Sequence, residues 1–240
     1  MLYLAIDTTG PLGTCALWDG SCMRQLVNES EYSHLEEMVP MVKKLLEENA
    51  VSPEDLTAIA VSRGPGSFTG IRIGMATVKG LAQIWDKPVI EVPTLAAFAF
   101  GDYPWLEDPE NAVLCPVFDA RRSQVYAGAY RPGDRCPLIP DAAYAVTELA
   151  EKLNALPESC RVVFFGDGIK VYEEELKTLV PGCTFAPEDS RYQLASSCAK
   201  LGARLMEAGE GVKDCYTCQP EYLRLAEAER KLKEKQGCSA

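Results

Sequence analysis

Apolar and polar positions along this chain recur with two different periods, and the switches between them mark out its elements. Residues Leu2 to Asp7, Gly13 to Trp18 and Met23 to Asn28 are short β-forming runs, separated by the turn sequences Thr8-Thr9-Gly10 and Asp19-Gly20. Three antiparallel strands are therefore expected to open the protein. Leu35, Met38, Val39, Val42, Leu45 and Leu46 then recur at helical spacing behind Ser33-His-Leu-Glu36, which reads as a capping box. Pro40 falls inside that pattern, so a bend or a shortened first turn is expected. After a linker from Asn49 to Glu54, Thr57 to Ser62 reads as a strand, Arg63 to Gly70 as a glycine-rich loop, and Ile71 to Trp85 as a helix that is small or apolar nearly all round. Such a helix buries more than one side. Lys87 to Val92 is a further strand and Thr94 to Phe100 a further helix, which makes the first half βββαβαβα.

The pattern then restarts. Gly101 to Pro104 and Glu107 to Glu110 form a turn-rich junction, followed by a strand from Val113 to Phe118 ending in Asp119, its hairpin partner from Val125 to Tyr130, and the strand Arg161 to Phe165 entering the turn Gly166-Asp-Gly168. Two strands that each end in Asp before a turn, at Asp7 and Asp119, are what a duplicated meander would leave, although the preference of Asp for turns produces the same echo. The expected division is a first lobe over 1–103, a second over 104–224, and a flexible tail over 225–240.

Composition adds few surprises. Hydrophobic residues are 47% and charged residues 25%, values that belong to a globular chain of 240 residues with a sizeable core. Met1 to Asp7 lacks the basic start of a secretory leader, and no apolar run reaches bilayer length, so a cytosolic protein is expected. On that expectation the ten cysteines, many in apolar contexts such as Cys15, Cys115 and Cys198, read as reduced packing thiols. Cys215-x-x-Cys218 has no second pair and no nearby His, and chance spacing is the better reading. The net charge of −11 argues against a chain that holds nucleic acid by itself. Its one dense cationic segment, Arg230 to Lys235, reads as a solvated helix end.

Candidate chemistry gathers at the glycine loop. A strand running into Arg63-Gly-Pro-Gly-Ser-Phe-Thr-Gly70 and a helix running out place free amides at a helix N-terminus, a geometry that favours an anion. The spacing matches neither a Walker A loop nor a dinucleotide fingerprint, and a tight turn needing close backbone approach explains the glycines as well. His34 is the only histidine, and its place at a helix start favours a structural role. No nucleophile-elbow pattern accompanies it, which disfavours covalent hydrolysis.

Asp7-Thr-Thr, Ser33-His34, Arg63 to Gly74, Lys79-Gly-Leu-Ala82, Pro88-Val-Ile, Pro93-Thr-Leu95, Asp119-Ala-Arg121, Val125-Tyr126 and Pro220-Glu-Tyr-Leu-Arg224 together closely resemble the TsaB (YeaZ) family. The resemblance spans nearly the whole chain. It implies the α/β actin-like ATPase fold, also called ASKHA or RNase H-like, with two lobes each built on βββαβαβα. It implies a non-catalytic activating subunit in bacterial formation of N6-threonylcarbamoyladenosine beside the tRNA anticodon. The expected partners are the transferase TsaD, which is similar in sequence, and the ATPase TsaE, with tRNA reached through the complex and no membrane contact. TsaD carries two metal-binding histidines four residues apart on the helix after the Pro-Val-Ile-type strand, and the matching positions here are Thr94 and Phe98. Metal is thus expected in the partner only, and this chain is expected to need no cofactor.

In actin-like ATPases, phosphate-facing hairpins lie where Asp7, Thr8 and Thr9, and Asp119 and Arg121, stand here. With Gly66 and Ser67 these residues form a candidate site for an anion or for weak ATP or ADP binding. The two apolar helices form the candidate docking surface for TsaD, with Leu35, Met38, Met41, Val42 and Leu45 from one and Ile73, Gly74, Val78 and Leu81 from the other. A specific interface of this kind buries about 1,200 to 2,000 Å². The same surface is expected to pair with itself in an isolated homodimer. The alternatives are an autonomous actin-like-fold ATPase, kinase or peptidase, and a purely structural dimer.

Overall fold

A computed structural model of the chain describes residues 1–28 and 34–223, with His34 described by its backbone alone. Ser33 of the expected capping box, the His34 side chain, Arg224, the Arg230 to Lys235 segment and the rest of 225–240 lie outside the described residues.

The expected meander is present as β1 (Tyr3–Asp7), β2 (Thr14–Trp18) and β3 (Met23–Val27), antiparallel and in register from Tyr3 opposite Trp18 to Asp7 opposite Thr14. Helix α1 (His34–Glu48) follows and is continuous through Pro40. Strand β4 (Ala58–Gly64) lies parallel to β1, and its first five residues are buried, as the near-continuous apolar run of an interior parallel strand requires. Helix α2 (Phe68–Trp85) starts three residues before the expected Ile71, because Ser67 caps it by accepting the Gly70 amide at 3.2 Å. Strand β5 (Val89–Pro93) and the short helix α3 (Thr94–Ala97), continued by a 3-10 turn over Phe98–Phe100, complete the first series.

The second series repeats it. Strands β6 (Ala112–Arg121), β7 (Gln124–Ala129) and β8 (Ile139–Ala145) form another meander, followed by α4 (Val146–Asn154), β9 (Arg161–Phe165), α5 (Ile169–Leu179), β10 (Thr184–Phe185), α6 (Ala195–Ala208) and β11 (Val212–Lys213). The strand order β5-β4-β1-β2-β3 in one sheet is matched by β10-β9-β6-β7-β8 in the other. Asp7 and Asp119 thus stand near the ends of equivalent strands, as the duplication reading expects.

Three apolar clusters hold the layers. One lies under α1 and α2 on the outer face of the first sheet, and one under α4 and α5 on the outer face of the second. The third joins the inner faces of both sheets around α3 and α6. Helix α6 packs on β1, β2, β4 and β5, so a helix from the second series covers the first sheet, and β11 extends that sheet by pairing with β5. Gly202 permits the approach: a Cβ there would stand 2.9 Å from the Cβ of Ala60.

Gly74 and Gly80 of α2 have opposite surroundings. A Cβ on Gly74 would stand 2.3 Å from the hydroxyl oxygen of Thr8, whereas one on Gly80 would meet nothing within 4 Å among the described residues. Gly74 therefore makes room for a residue of this chain, and not for a partner helix as the sequence suggested. Gly74→Ala is expected to cost about 1 to 3 kcal/mol in urea unfolding, and Gly80→Ala to add about 0.5 to 1 kcal/mol.

Candidate functional site

The Asp7-Thr-Thr turn and the glycine loop form one packed unit. Asp7 is buried at the end of β1, where its Oδ1 accepts from the Thr9 amide at 2.8 Å and the Thr9 hydroxyl at 2.7 Å. Its Oδ2 accepts from the Ser62 hydroxyl on neighbouring β4 at 2.5 Å. A carboxylate this buried is tolerated because donors replace its lost water. Beyond it, the Thr8 hydroxyl donates to the Gly70 carbonyl at 2.7 Å and the Thr9 carbonyl accepts the Ser67 amide at 2.8 Å. Cβ atoms on Gly66 and Gly70 would stand 2.6 Å and 1.9 Å from the carbonyl oxygens of Thr9 and Thr8. The glycines are thus required by the turn that lies on them. The amides of Ser67, Gly70 and Ile71 donate to the Thr9 carbonyl, the Ser67 hydroxyl and the Ser67 carbonyl.

Asp119 and Arg121 belong to a different neighbourhood. The Asp119 Oδ1 accepts the Arg121 amide at 2.8 Å and the Tyr172 hydroxyl at 3.3 Å, and its own amide donates to Asp167 at 3.2 Å. Arg121, Arg122 and Ser123 turn the hairpin with φ of 62°, 58° and 58°. The contacts of Asp119 stay in the second series, while Asp7, Thr8, Thr9, Gly66 and Ser67 converge in the first.

Thr94 and Phe98, which the resemblance sets opposite two histidines of the transferase, serve packing. The buried Thr94 hydroxyl accepts the Gly64 amide at 3.1 Å. Phe98 is buried with ring centroids 5.9 Å from Phe118 and 5.5 Å from Phe165.

A strap missed in the sequence crosses the glycine loop. The Gln219 amide donates to Glu91 at 2.5 Å, the Glu221 amide to the Arg63 carbonyl at 2.8 Å, and the Glu221 carboxylate pairs with Arg63 at 2.8 Å. Gly64, at φ 122°, makes room for it, because a Cβ there would stand 2.4 Å from the Glu221 carbonyl oxygen. Tyr222 then accepts from Arg72 at 3.0 Å and packs 5.1 Å from Phe68. The Pro220-Glu-Tyr-Leu motif was visible in the sequence, but its landing place was not, since more than 120 residues separate it from β5 and α2.

Arg63 also faces Glu91 at 3.8 Å and offsets the charge of Asp141 on β8, whose oxygen accepts the Tyr130 hydroxyl. Burial pushes the Asp141 carboxyl up to about 6, with the nearby Glu221 adding to the rise, while the Tyr130 hydrogen bond and Arg63 oppose it.

The docking helices need a correction. Met38, Val42, Leu45 and Val78 are 1%, 1%, 2% and 0% exposed and pack in the chain's own core, so they cannot themselves meet a partner. Of the named residues, Leu35 is exposed, and Met41, Ile73 and Leu81 are half-buried. Val39, Phe68 and Ile84 are exposed apolar positions that were not named for this surface. Helix α2 carries two stripes at the same spacing: Ile71, Met75, Val78 and Ala82 face the sheet, while Ile73, Thr77, Gly80 and Ile84 are half-buried or exposed. At 100° per residue the stripes lie about 200° apart.

Two duplicated lobes, each with a 5-4-1-2-3 sheet, define this protein as an α/β member of the actin-like ATPase fold. A family model described as "TsaD: tRNA N6-adenosine threonylcarbamoyltransferase" matches residues 28–234. The "tRNA threonylcarbamoyladenosine biosynthesis protein TsaB" of Bacillus subtilis (strain 168) is 32% identical over 240 residues, covering 98% of this chain and 100% of the relative. The protein of that name in Escherichia coli (strain K12) is 37% identical over 131 residues, 55% of each chain. A solved structure of YeaZ from Pseudomonas aeruginosa superposes with a TM-score of 0.75 at 25% identity, covering 92% of this chain and 99% of that one. The chain belongs to the TsaB (YeaZ) family.

Two measurements test the site. Asp7→Ala leaves the Ser62 and Thr9 donors without their acceptor and is expected to cost at least about 2 kcal/mol in chemical unfolding. The folded pKa of Asp141 stands above the unfolded value near 3.9, so its contribution to stability is largest below about pH 4 and is lost as pH rises through about 6. Asp141→Asn removes this dependence, and the variant should gain on the parent as pH rises from 4 to about 7 in paired thermal melts.

Proposed function

We propose that this chain is a non-catalytic activating subunit in the formation of N6-threonylcarbamoyladenosine on tRNA, and that it docks through the outer faces of α1 and α2 onto TsaD. The observation that carries the reading is the second stripe of α2. A helix that already buries Ile71, Met75, Val78 and Ala82 on its own sheet has no folding need for isoleucines on the opposite side, at half-buried Ile73 and exposed Ile84. Leu35 and Val39, one turn apart on α1, add 74% and 51% exposed apolar positions beside it. Large exposed apolar side chains grouped on two neighbouring helices favour a protein partner.

TsaD suits that surface because its family model matches this chain over 28–234, so two related lobes would meet helix pair to helix pair. A homodimer through the same face is the expected state without TsaD, and TsaE and tRNA join through the complex in the cytoplasm. The chemistry is assigned to the partner because Thr94 and Phe98 occupy the positions of its metal-binding histidines and serve the core here.

The surface is tested at positions that spare the fold. Val39→Glu and Ile84→Glu are expected to raise the dissociation constant for TsaD about 10- to 100-fold with unchanged melting temperature. Val78→Asp instead buries a charge in the chain's own core and reads out unfolding. Unchanged capture of TsaD by the two surface variants overturns the docking reading. Reconstitution of TsaD, TsaE, tRNA and threonylcarbamoyl-adenylate is expected to yield modified tRNA only with this chain present. ATP hydrolysis or proteolysis by the isolated protein would favour the autonomous-enzyme reading.

A further inference from the structure

The turn after β11 carries two thiols that are arranged unequally. Asp214 caps it, with Oδ1 accepting the amides of Tyr216 at 2.9 Å and Thr217 at 2.7 Å and the Thr217 hydroxyl at 2.8 Å. The Cys218 amide donates to the Asp214 carbonyl at 3.3 Å, so the segment forms a single helical turn. Cys215 and Cys218 are three apart in that turn and lie on one side of it. Their expected Cα separation of roughly 5 to 5.5 Å falls inside the range of about 4.4 to 6.8 Å that a disulfide spans.

The environments of the two sulfurs differ in a useful way. Cys215 is half-buried and reachable from solvent, whereas Cys218 is fully buried against the first sheet's outer cluster. The Cys218 Sγ is turned back toward its neighbour and donates to the Cys215 carbonyl at 3.6 Å. Burial pushes the Cys218 thiol up, with the Lys79 ammonium opposing the rise and Glu91 and Cys215 adding to it. An accessible thiol beside a shielded one is the arrangement of a reacting and a resolving cysteine.

We propose that Cys215 and Cys218 form a redox-active dithiol that a hydroperoxide converts reversibly into a disulfide. The Cys215 thiolate attacks one peroxide oxygen, the O–O bond breaks, and the departing oxygen leaves as water or alcohol after taking up a proton. Cys215 is then a sulfenic acid. The Cys218 sulfur attacks the Cys215 sulfur, the S–S bond forms, the S–O bond breaks, and water leaves with the thiol proton. The dithiol gives up two electrons and the peroxide accepts them. Dithiol reductants reverse the change by thiol exchange. Closure draws the Cys218 sulfur away from the core, and the next amide, Gln219, is the one bonded to Glu91 at 2.5 Å, so the first residue moved is the start of the strap. In the sequence chance spacing is the better reading of the pair, because neither the turn nor the burial difference can be seen there.

The test is thiol mapping on the folded full-length protein treated with hydrogen peroxide, then denatured, alkylated and digested with trypsin. Lys213 and Arg224 place both thiols in one peptide, Asp214 to Arg224. The expected product is that peptide without alkyl groups and two hydrogen atoms lighter, restored to the doubly alkylated form by dithiothreitol. In Cys215→Ser, a substitution at the accessible position, Cys218 should remain alkylatable after the same treatment. The proposal is overturned if both thiols stay alkylatable, if Cys215 proceeds to a sulfinic acid while Cys218 stays a thiol, or if Cys215 pairs with a cysteine of another peptide.

Discussion

The hydrogen-bonded carboxylate of Asp7 is the constraint on which the first lobe depends. It ends β1, takes the Ser62 hydroxyl from β4, and holds the Thr9 amide and hydroxyl, so the turn after β1 has one conformation relative to the neighbouring strand. That conformation places the carbonyls of Thr8 and Thr9 against the backbone of Gly70 and Gly66, leaving no room for any larger residue. The start and direction of α2 follow from this contact. A carboxyl group that deep would be costly without hydrogen bonds, and the Thr9 and Ser62 donors come from two segments that are brought together when β1 and β4 pair in parallel. The glycine loop is thus explained by a protein contact inside the first lobe.

The direction of α2 in turn decides which of its surfaces remains outside. One stripe is consumed by the sheet, and the other is left beside the exposed positions of α1, with Phe68, Arg72 and Tyr222 at its N-terminal end. The strap closes over the same end through Arg63, which serves Glu91 and Glu221 and offsets Asp141 from the second series. Arg63 joins the end of β4 to β5 and to the C-terminal segment through Glu91 and Glu221, while apolar contact through α3 and α6 joins the two sheets deeper inside.

Element type was legible wherever one periodicity held over a whole segment. The meander, the interior strand β4 and the apolar character of α2 could all be read, because alternation and near-continuous burial leave direct traces in residue order. The duplication was legible too, in the repeated strand ending in Asp. What failed was position within elements. The start of α2 was placed late because glycine in a first turn looks like loop until the carbonyl of Thr8 is seen beside it. The docking residues were drawn from both faces of their helices, since hydropathy alone does not say which of two equivalent stripes meets the sheet. Val78 and Ile84 are equally apolar, yet one is fully buried and the other 79% exposed.

By itself, the order of residues determined the class of fold, the two-lobed repeat, the family, and that Thr and not His stands at 94 and Phe and not His at 98, since all of these rest on local pattern and identity. Only the tertiary structure decided that the Asp7 turn and the glycine loop are one unit, that Gly74 serves Thr8, that α6 covers the first sheet, and that residues 219–222 strap the end of β4. The physical reason is the range of the contacts. These pairings join segments tens to nearly two hundred residues apart, and their geometry is set by which sheet faces and helix stripes find each other on burial.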